Sequence, residues 1–138
     1  MNYLGNNVIT KIIQGASELN IRPNEIQIKK VGEFGLISSM VATPLALVLT
    51  ELIHNALEHG LSQSGDLVEL RIDRSGKSMT VTVVDNGAGI PRDFSLESNT
   101  NLGLQIVQTL TKNELAGKIE FIKPDIGTQV QISFPLER

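Results

Sequence analysis

Glu51, Asn55 and His59 stand at successive steps of four in the stretch Glu51-Leu52-Ile53-His54-Asn55-Ala56-Leu57-Glu58-His59-Gly60. At about 3.6 residues per turn such a spacing lines a carboxylate, an amide and an imidazole along one helix face. Asn is a poor choice for a helix interior, because its amide competes for backbone partners. One chemistry this line suits is a hydrated magnesium ion beside a flat ligand, since magnesium takes few protein oxygens and fills its shell from water and phosphates. A solvated polar stripe on an amphipathic helix has the same pattern.

Asp85-Asn86-Gly87-Ala88-Gly89 follows an apolar alternating stretch. A carboxylate at the end of a strand can accept a hydrogen bond from an exocyclic amine such as adenine presents, and the glycines let backbone approach a ring or a phosphate. A tight strand-to-loop turn is the plainer reading. Further on, Thr100-Asn101-Leu102-Gly103-Leu104 opens an apolar periodic stretch. Thr100 or Asn101 can cap a helix there, and the free N–H groups of a first turn point toward any bound anion. An ordinary N-cap would read alike.

These residues need elements to position them. Leu4, Val8, Ile12, Ala16 and Leu19 fall at helical spacing over 3–19, and Pro23 breaks the chain. A strand is expected over 25–31. Thr43-Pro44 supplies a cap followed by proline at a first helical position, and Gly60 a stop. The helix between them carries apolar residues on most sides, Leu47 among them, and is expected to be central and buried. Alternation over 67–73 and 79–85, joined across Arg74-Ser75-Gly76-Lys77, signals a hairpin. A loop rich in Gly, Ser, Asn and Thr spans 86–101, then a helix runs over 102–113. Strands over 118–123 and 128–134 close the chain. Three helices and five strands, mostly in hairpins, are met most economically by helices on one face of a mixed sheet, an α/β (α+β) two-layer sandwich.

With 138 residues, 41% hydrophobic and 20% charged, the chain fits one domain over 1–138. A net charge of −3 gives no general attraction to nucleic acid or to a membrane surface, so a bound polyanion must rely on local backbone donors and a metal. Without cysteines there is neither a disulfide nor a thiolate metal site. No apolar run approaches the length of a membrane span, and the first residues lack the pattern of a signal peptide, so the domain is expected to be cytoplasmic.

Taken in order, the motifs resemble those of the GHKL superfamily of ATPases and kinases. The stretch from Glu51 to Gly60 is similar to its asparagine box, and Asp85-Asn86-Gly87-Ala88-Gly89-Ile90-Pro91 to its first glycine box. Asn101-Leu102-Gly103-Leu104-Gln105-Ile106-Val107 resembles the second as histidine kinases carry it, and Gly127-Thr128 through Phe134-Pro135-Leu136 the closing strands. The His-Gly ending of the asparagine box points to kinases with the second type of dimerisation and phosphoacceptor domain. The resemblance implies a Bergerat-type fold that binds Mg-ATP and transfers its γ-phosphoryl to a histidine.

It also implies roles. Asn55 would ligate magnesium through its side-chain oxygen, and Glu51 would orient a metal-bound water or act as base. Asp85 would take the adenine amino group, helped by a water near Thr128. Gly87, Gly89, Ile90, Asn101, Leu102 and Gly103 would shape the pocket, with N–H groups around Gly103 and Leu104 meeting phosphates. His59 stands where many kinases stack a tyrosine on adenine, and 86–101 would form a lid. The chain departs from the pattern at Glu58, where many kinases have lysine, and at Asn101, where the motif starts with glycine. It also has only Phe94 as a candidate for a phenylalanine box.

The only histidines, His54 and His59, lie inside the asparagine box, so the acceptor is expected on a helical domain elsewhere in a longer kinase, with a response regulator downstream. The alternatives are an anti-sigma-factor type serine kinase and a nucleotide-binding interaction module without catalysis. The glycine box starting at Asn101 and the Phe134-Pro135-Leu136 ending favour the histidine kinase over the first, and Glu51 together with Asn55 argues against the second.

Overall fold

The computed structural model describes residues 27–57, 65–87, 102–122 and 127–136. The helix expected over 3–19 lies outside them, as do His59, Gly89, Ile90, Asn101 and the lid positions from 88 to 101. Among the described residues a strand β1 (Gln27–Val31) leads to a helix α1 (Ser39–Asn55), then to strands β2 (Leu67–Ser75) and β3 (Ser78–Asp85). A helix α2 (Leu102–Thr109), a π-helical turn (Leu110–Glu114) and strands β4 (Lys118–Ile122) and β5 (Thr128–Pro135) follow. The sheet order is β1-β2-β3-β5-β4. Only the β1–β2 pair is parallel, so the sheet is mixed as expected.

Pleating sorts the side chains. Val68, Leu70 and Ile72 of β2 stand opposite Asp85, Val83 and Val81 of β3, which in turn face Thr128, Val130 and Ile132 of β5. These positions share one face, and their apolar members are buried together with Val41, Leu45, Val48, Leu49 and Leu52 of α1. The helices therefore cover that face, and Asp85 ends the same row that carries Val81 and Val83 into the core.

α1 starts five residues before the expected first position. Ser38, in extended conformation, is the N-cap, and its Oγ accepts from the Met40 N–H at 3.2 Å. Pro44 is thus inside the helix, where it withholds one N–H from the ladder. The carbonyl so released belongs to Met40, on a turn where that residue is 72% exposed. The expectation of a helix buried on most sides also needs correcting, because Leu47 is 53% exposed. Val41, Leu45, Val48, Leu49 and Leu52 make a one-sided stripe, as suits a helix covering a sheet.

The β2–β3 hairpin is longer than its alternation alone suggests. Arg74 and Ser75 remain in the ladder opposite Met79 and Ser78, leaving a two-residue Gly76-Lys77 turn in which Gly76 has φ 60. Arg74 is held there because its Nη1 donates to the carbonyls of Phe34 and Leu36, both at 2.8 Å.

The last helix is not α-helical to 113. After Thr109 it widens, and the Leu115 N–H donates to the Leu110 carbonyl at 2.9 Å, a five-residue step. In a straight α-helix Glu114 would follow Val107 and Thr111 toward the core. The wider turn admits one extra residue, so that Leu115 is buried and Glu114 is exposed. The chain then leaves through Ala116 at φ 55, with the Gly117 N–H closing on the Thr111 carbonyl at 2.8 Å.

Candidate functional site

Chain direction brings the chemistry to one end of the sheet. Since β1 and β2 are parallel, α1 must return from the far end of β1 to the start of β2, which puts Asn55 at that start. β3 runs back and ends there, with Asp85 opposite Val68. β5 begins there, with Thr128 opposite Asp85. Gly117 packs against Ser133 and Phe134 at the other end, so α2, which precedes it, has Leu102, Gly103 and Leu104 toward the Asp85 end.

Asp85 is 4% exposed, a carboxylate closing an apolar row. Its Oδ1 accepts from the Gly87 N–H at 3.0 Å, and the Thr128 N–H also bonds the carboxylate. Burial raises its pKa above 3.8, while the two backbone N–H groups oppose that rise. Neither donor uses up an ionised carboxylate, which retains acceptor sites for a ligand amine.

Space around Asp85 is fixed by a glycine. Gly127 has φ 82, and a Cβ there would collide with the Asp85 carbonyl oxygen. Only glycine admits both the backbone conformation and that approach.

Asn55 is the last α-helical residue of α1, and the helix widens at Ala56 and Leu57. Its side chain is half-buried, and Nδ2 is inaccessible with no hydrogen-bond partner among the described residues. An unpaired buried amide is costly and calls for a partner. Glu51, one turn earlier, is half-buried on the same face. No three His, Cys, Asp or Glu side chains gather into a metal-holding group among the described residues. A cation beside Asn55 must therefore draw most of its ligands from water and from a bound molecule.

Of the expected site residues, the structure gathers Glu51, Asn55, Asp85, Gly87, Gly103, Leu104 and Thr128 at this end. Gly103 is half-buried and Leu104 buried in the first turn of α2. The residue that sequence reasoning passed over is Asn86. Its Oδ1 accepts from the N–H groups of Asp66 and Leu67, both at 3.0 Å, and its Nδ2 donates to Asp66 Oδ1 at 2.9 Å. The Asp-Asn-Gly run was the available signal, since Asn side chains replace backbone partners at turns.

A five-stranded mixed sheet thus carries helices over one face, with a buried acid closing a strand and a glycine-bearing helix start at the same end. The family model for "Histidine kinase-, DNA gyrase B-, and HSP90-like ATPase" matches residues 40–138. The chain belongs to this family.

It is 37% identical over 134 residues to the sensor histidine kinase PdtaS of Mycobacterium tuberculosis, a match over 95% of this chain and 27% of PdtaS. It is 32% identical over 129 residues to blue-light-activated histidine kinase 2 of Erythrobacter litoralis, covering 91% of this chain and 34% of the relative. The chain thus spans about a quarter to a third of the length of these relatives. Among solved structures, the Erythrobacter litoralis EL346 blue-light activated histidine kinase superposes with TM-score 0.83 at 29% identity, over 93% of this chain and 40% of that one. The catalytic domain of histidine kinase ThkA has the same fold, with TM-score 0.78 at 21% identity and 99% and 98% coverage.

Proposed function

We propose that this chain is the catalytic domain of a sensor histidine kinase, which passes the γ-phosphoryl of Mg-ATP to a histidine on a helical dimerisation and phosphoacceptor domain of the same kinase. The observation that carries the reading is the buried Asp85 carboxylate, set at the same end of the sheet as Asn55 and the start of α2. The kinship with sensor kinases favours this over an anti-sigma-factor type serine kinase or a non-catalytic nucleotide module.

Asp85 accepts the adenine amino group, with Thr128 beside it. Asn55 would hold a magnesium ion through its amide oxygen, and the ion would supply neutralisation of phosphate charge. Glu51 would orient water beside that ion or take the proton of the attacking imidazole. First-turn N–H groups at Gly103 and Leu104 meet the phosphates. His59, Gly89, Ile90 and Asn101, which lie outside the described residues, would complete the pocket with Leu102. Phosphoryl transfer needs charge neutralisation and in-line placement more than covalent chemistry, and the placement is supplied by the domain that carries the acceptor. A response regulator then takes the phosphoryl group, and the domain works in the cytoplasm. No helix among the described residues is long and apolar enough to cross a membrane.

His54 does not serve as acceptor. It immediately precedes Asn55, about 100° around the helix, and so faces away from the metal side. Incubation with γ-labelled ATP and magnesium therefore leaves this chain without acid-labile label, and addition of a separately made helical hairpin bearing the acceptor histidine gives slow labelling of the hairpin. Transfer is slow because the effective concentration of a tethered acceptor is lost. Stoichiometric acid-labile label on the lone chain would overturn the assignment of the acceptor to another domain.

A further inference from the structure

We infer that Asn86 is a positioning residue for base selectivity, acting on the adenine-recognising carboxylate through the turn that it fastens to β2. The inference rests on the reading of Asp85 as acceptor for the adenine amine.

Asp85, Asn86 and Gly87 form a turn closed by the Asp85 carboxylate itself, whose Oδ1 takes the Gly87 N–H at 3.0 Å. Asn86 is the middle residue, so its backbone angles fix how that carboxylate points. A turn of this kind at the end of a strand is free to pivot unless something outside it holds the middle residue. Here the Asn86 side chain does so. One oxygen takes two N–H groups, of Asp66 and Leu67, at 3.0 Å each. The amide nitrogen reaches Asp66 Oδ1 at 2.9 Å, and the Asn86 N–H meets the Leu67 carbonyl at 3.3 Å. Asn86 thereby extends the β2–β3 ladder one step past Asp85 with a side chain in place of a strand. From the opposite side Gly127 lies against the Asp85 carbonyl and the Asn86 Cα. The carboxylate is thus braced on both flanks, by the side-chain clamp to β2 and by the close backbone at Gly127, just before β5.

Asn86 itself is exposed, so its bonds do little for the core. Their consequence is directional. A hydrogen bond weakens steeply as its angle departs from linear, so a carboxylate released to pivot loses much of its preference for an amine at the purine 6-position. The preference is read by comparing ATP with inosine triphosphate, which carries oxygen in place of that amine and is otherwise closely alike.

Calorimetric titration of the 138-residue chain with both nucleotides tests this, with folding of each variant checked by its unfolding curve. Asn86→Ala lowers the ATP-over-inosine preference by about tenfold, the scale of one hydrogen bond to a charged group. Asn86→Asp combined with Asp66→Asn restores the donor and acceptor pattern with one bond reversed, and recovers the preference. A structural role alone would lower the folded fraction and leave the preference untouched. An unchanged preference in folded Asn86→Ala overturns the inference. Asp85→Asn in the same titration separates the two claims. If it abolishes the preference while Asn86→Ala keeps it, only the role of Asn86 falls. If Asp85→Asn keeps the preference, the adenine reading falls and the inference with it.

Discussion

Asp85→Asn lowers ATP affinity by about tenfold to a hundredfold, roughly 1.5–3 kcal/mol, in a protein that still folds. The size follows from a count of donors. The Gly87 and Thr128 N–H groups both point at the Asp85 side chain, and the adenine amine adds a third. A carboxylate has acceptor capacity for all three, whereas an amide has one oxygen and turns its own N–H₂ toward a donor. One donor is left facing another in a site where water has little access.

Acidity sharpens the same prediction. Burial raises the Asp85 pKa above 3.8, against the lowering effect of the two N–H groups. For the unliganded fold, this group contributes stability that is complete below the ordinary value and is lost as pH rises through the raised one. Binding has the opposite sign, because the adenine amine needs the ionised acceptor. ATP affinity therefore declines as pH falls through the raised pKa. In Asp85→Asn this acid limb is missing. Calorimetry on both proteins across the acid range gives the ratio in which the ionisation of ATP itself cancels. A ratio independent of pH would count against Asp85 as the acceptor.

The second large effect belongs to Asn55. Asn55→Ala removes most of the gain in ATP affinity that magnesium gives the native chain, because the proposed reading assigns the ion to the Asn55 amide oxygen. Apo stability moves the other way or stays level, since the substitution deletes a buried amide nitrogen that has no partner among the described residues. The two readouts separate a metal role from a packing role. Titrations with and without magnesium, paired with denaturant unfolding, give both. An equal magnesium effect in the two proteins would remove Asn55 from the metal site.

Much of this was legible in the chain because it rests on short-range periodicity. The alternation of Met79, Val81 and Val83 with Thr80 and Thr82 points to the buried face, and so turns Asp85 toward the helices. The four-residue step from Glu51 to Asn55 fixes a common helix face in the same way. What was missed depends on partners distant in sequence. Thr43-Pro44 is a more conspicuous start than Ser38, yet burial of Val41 and Ala42 against the core extends the helix back to the serine. The π-helical turn was invisible because nothing local says that Leu115 and not Glu114 must face inward. Asn86 reads as a turn residue until β2 is laid beside β3, which brings it to Asp66, 20 positions earlier. The pairing Asp85↔Thr128 likewise appears only once β5 is in register.

On the proposed reading, nucleotide sits at the Asp85 end of the sheet, between α1 and the start of α2. Backbone amide resonances followed during titration with ADP and magnesium test it most directly. Large shifts are expected at Asn55, Gly87, Gly103, Leu104 and Thr128. Little change is expected at Gly76 and Lys77, in the turn at the opposite end of the β2–β3 hairpin. Saturable shifts confined to that opposite end, with Gly87 and Thr128 unmoved, would contradict it.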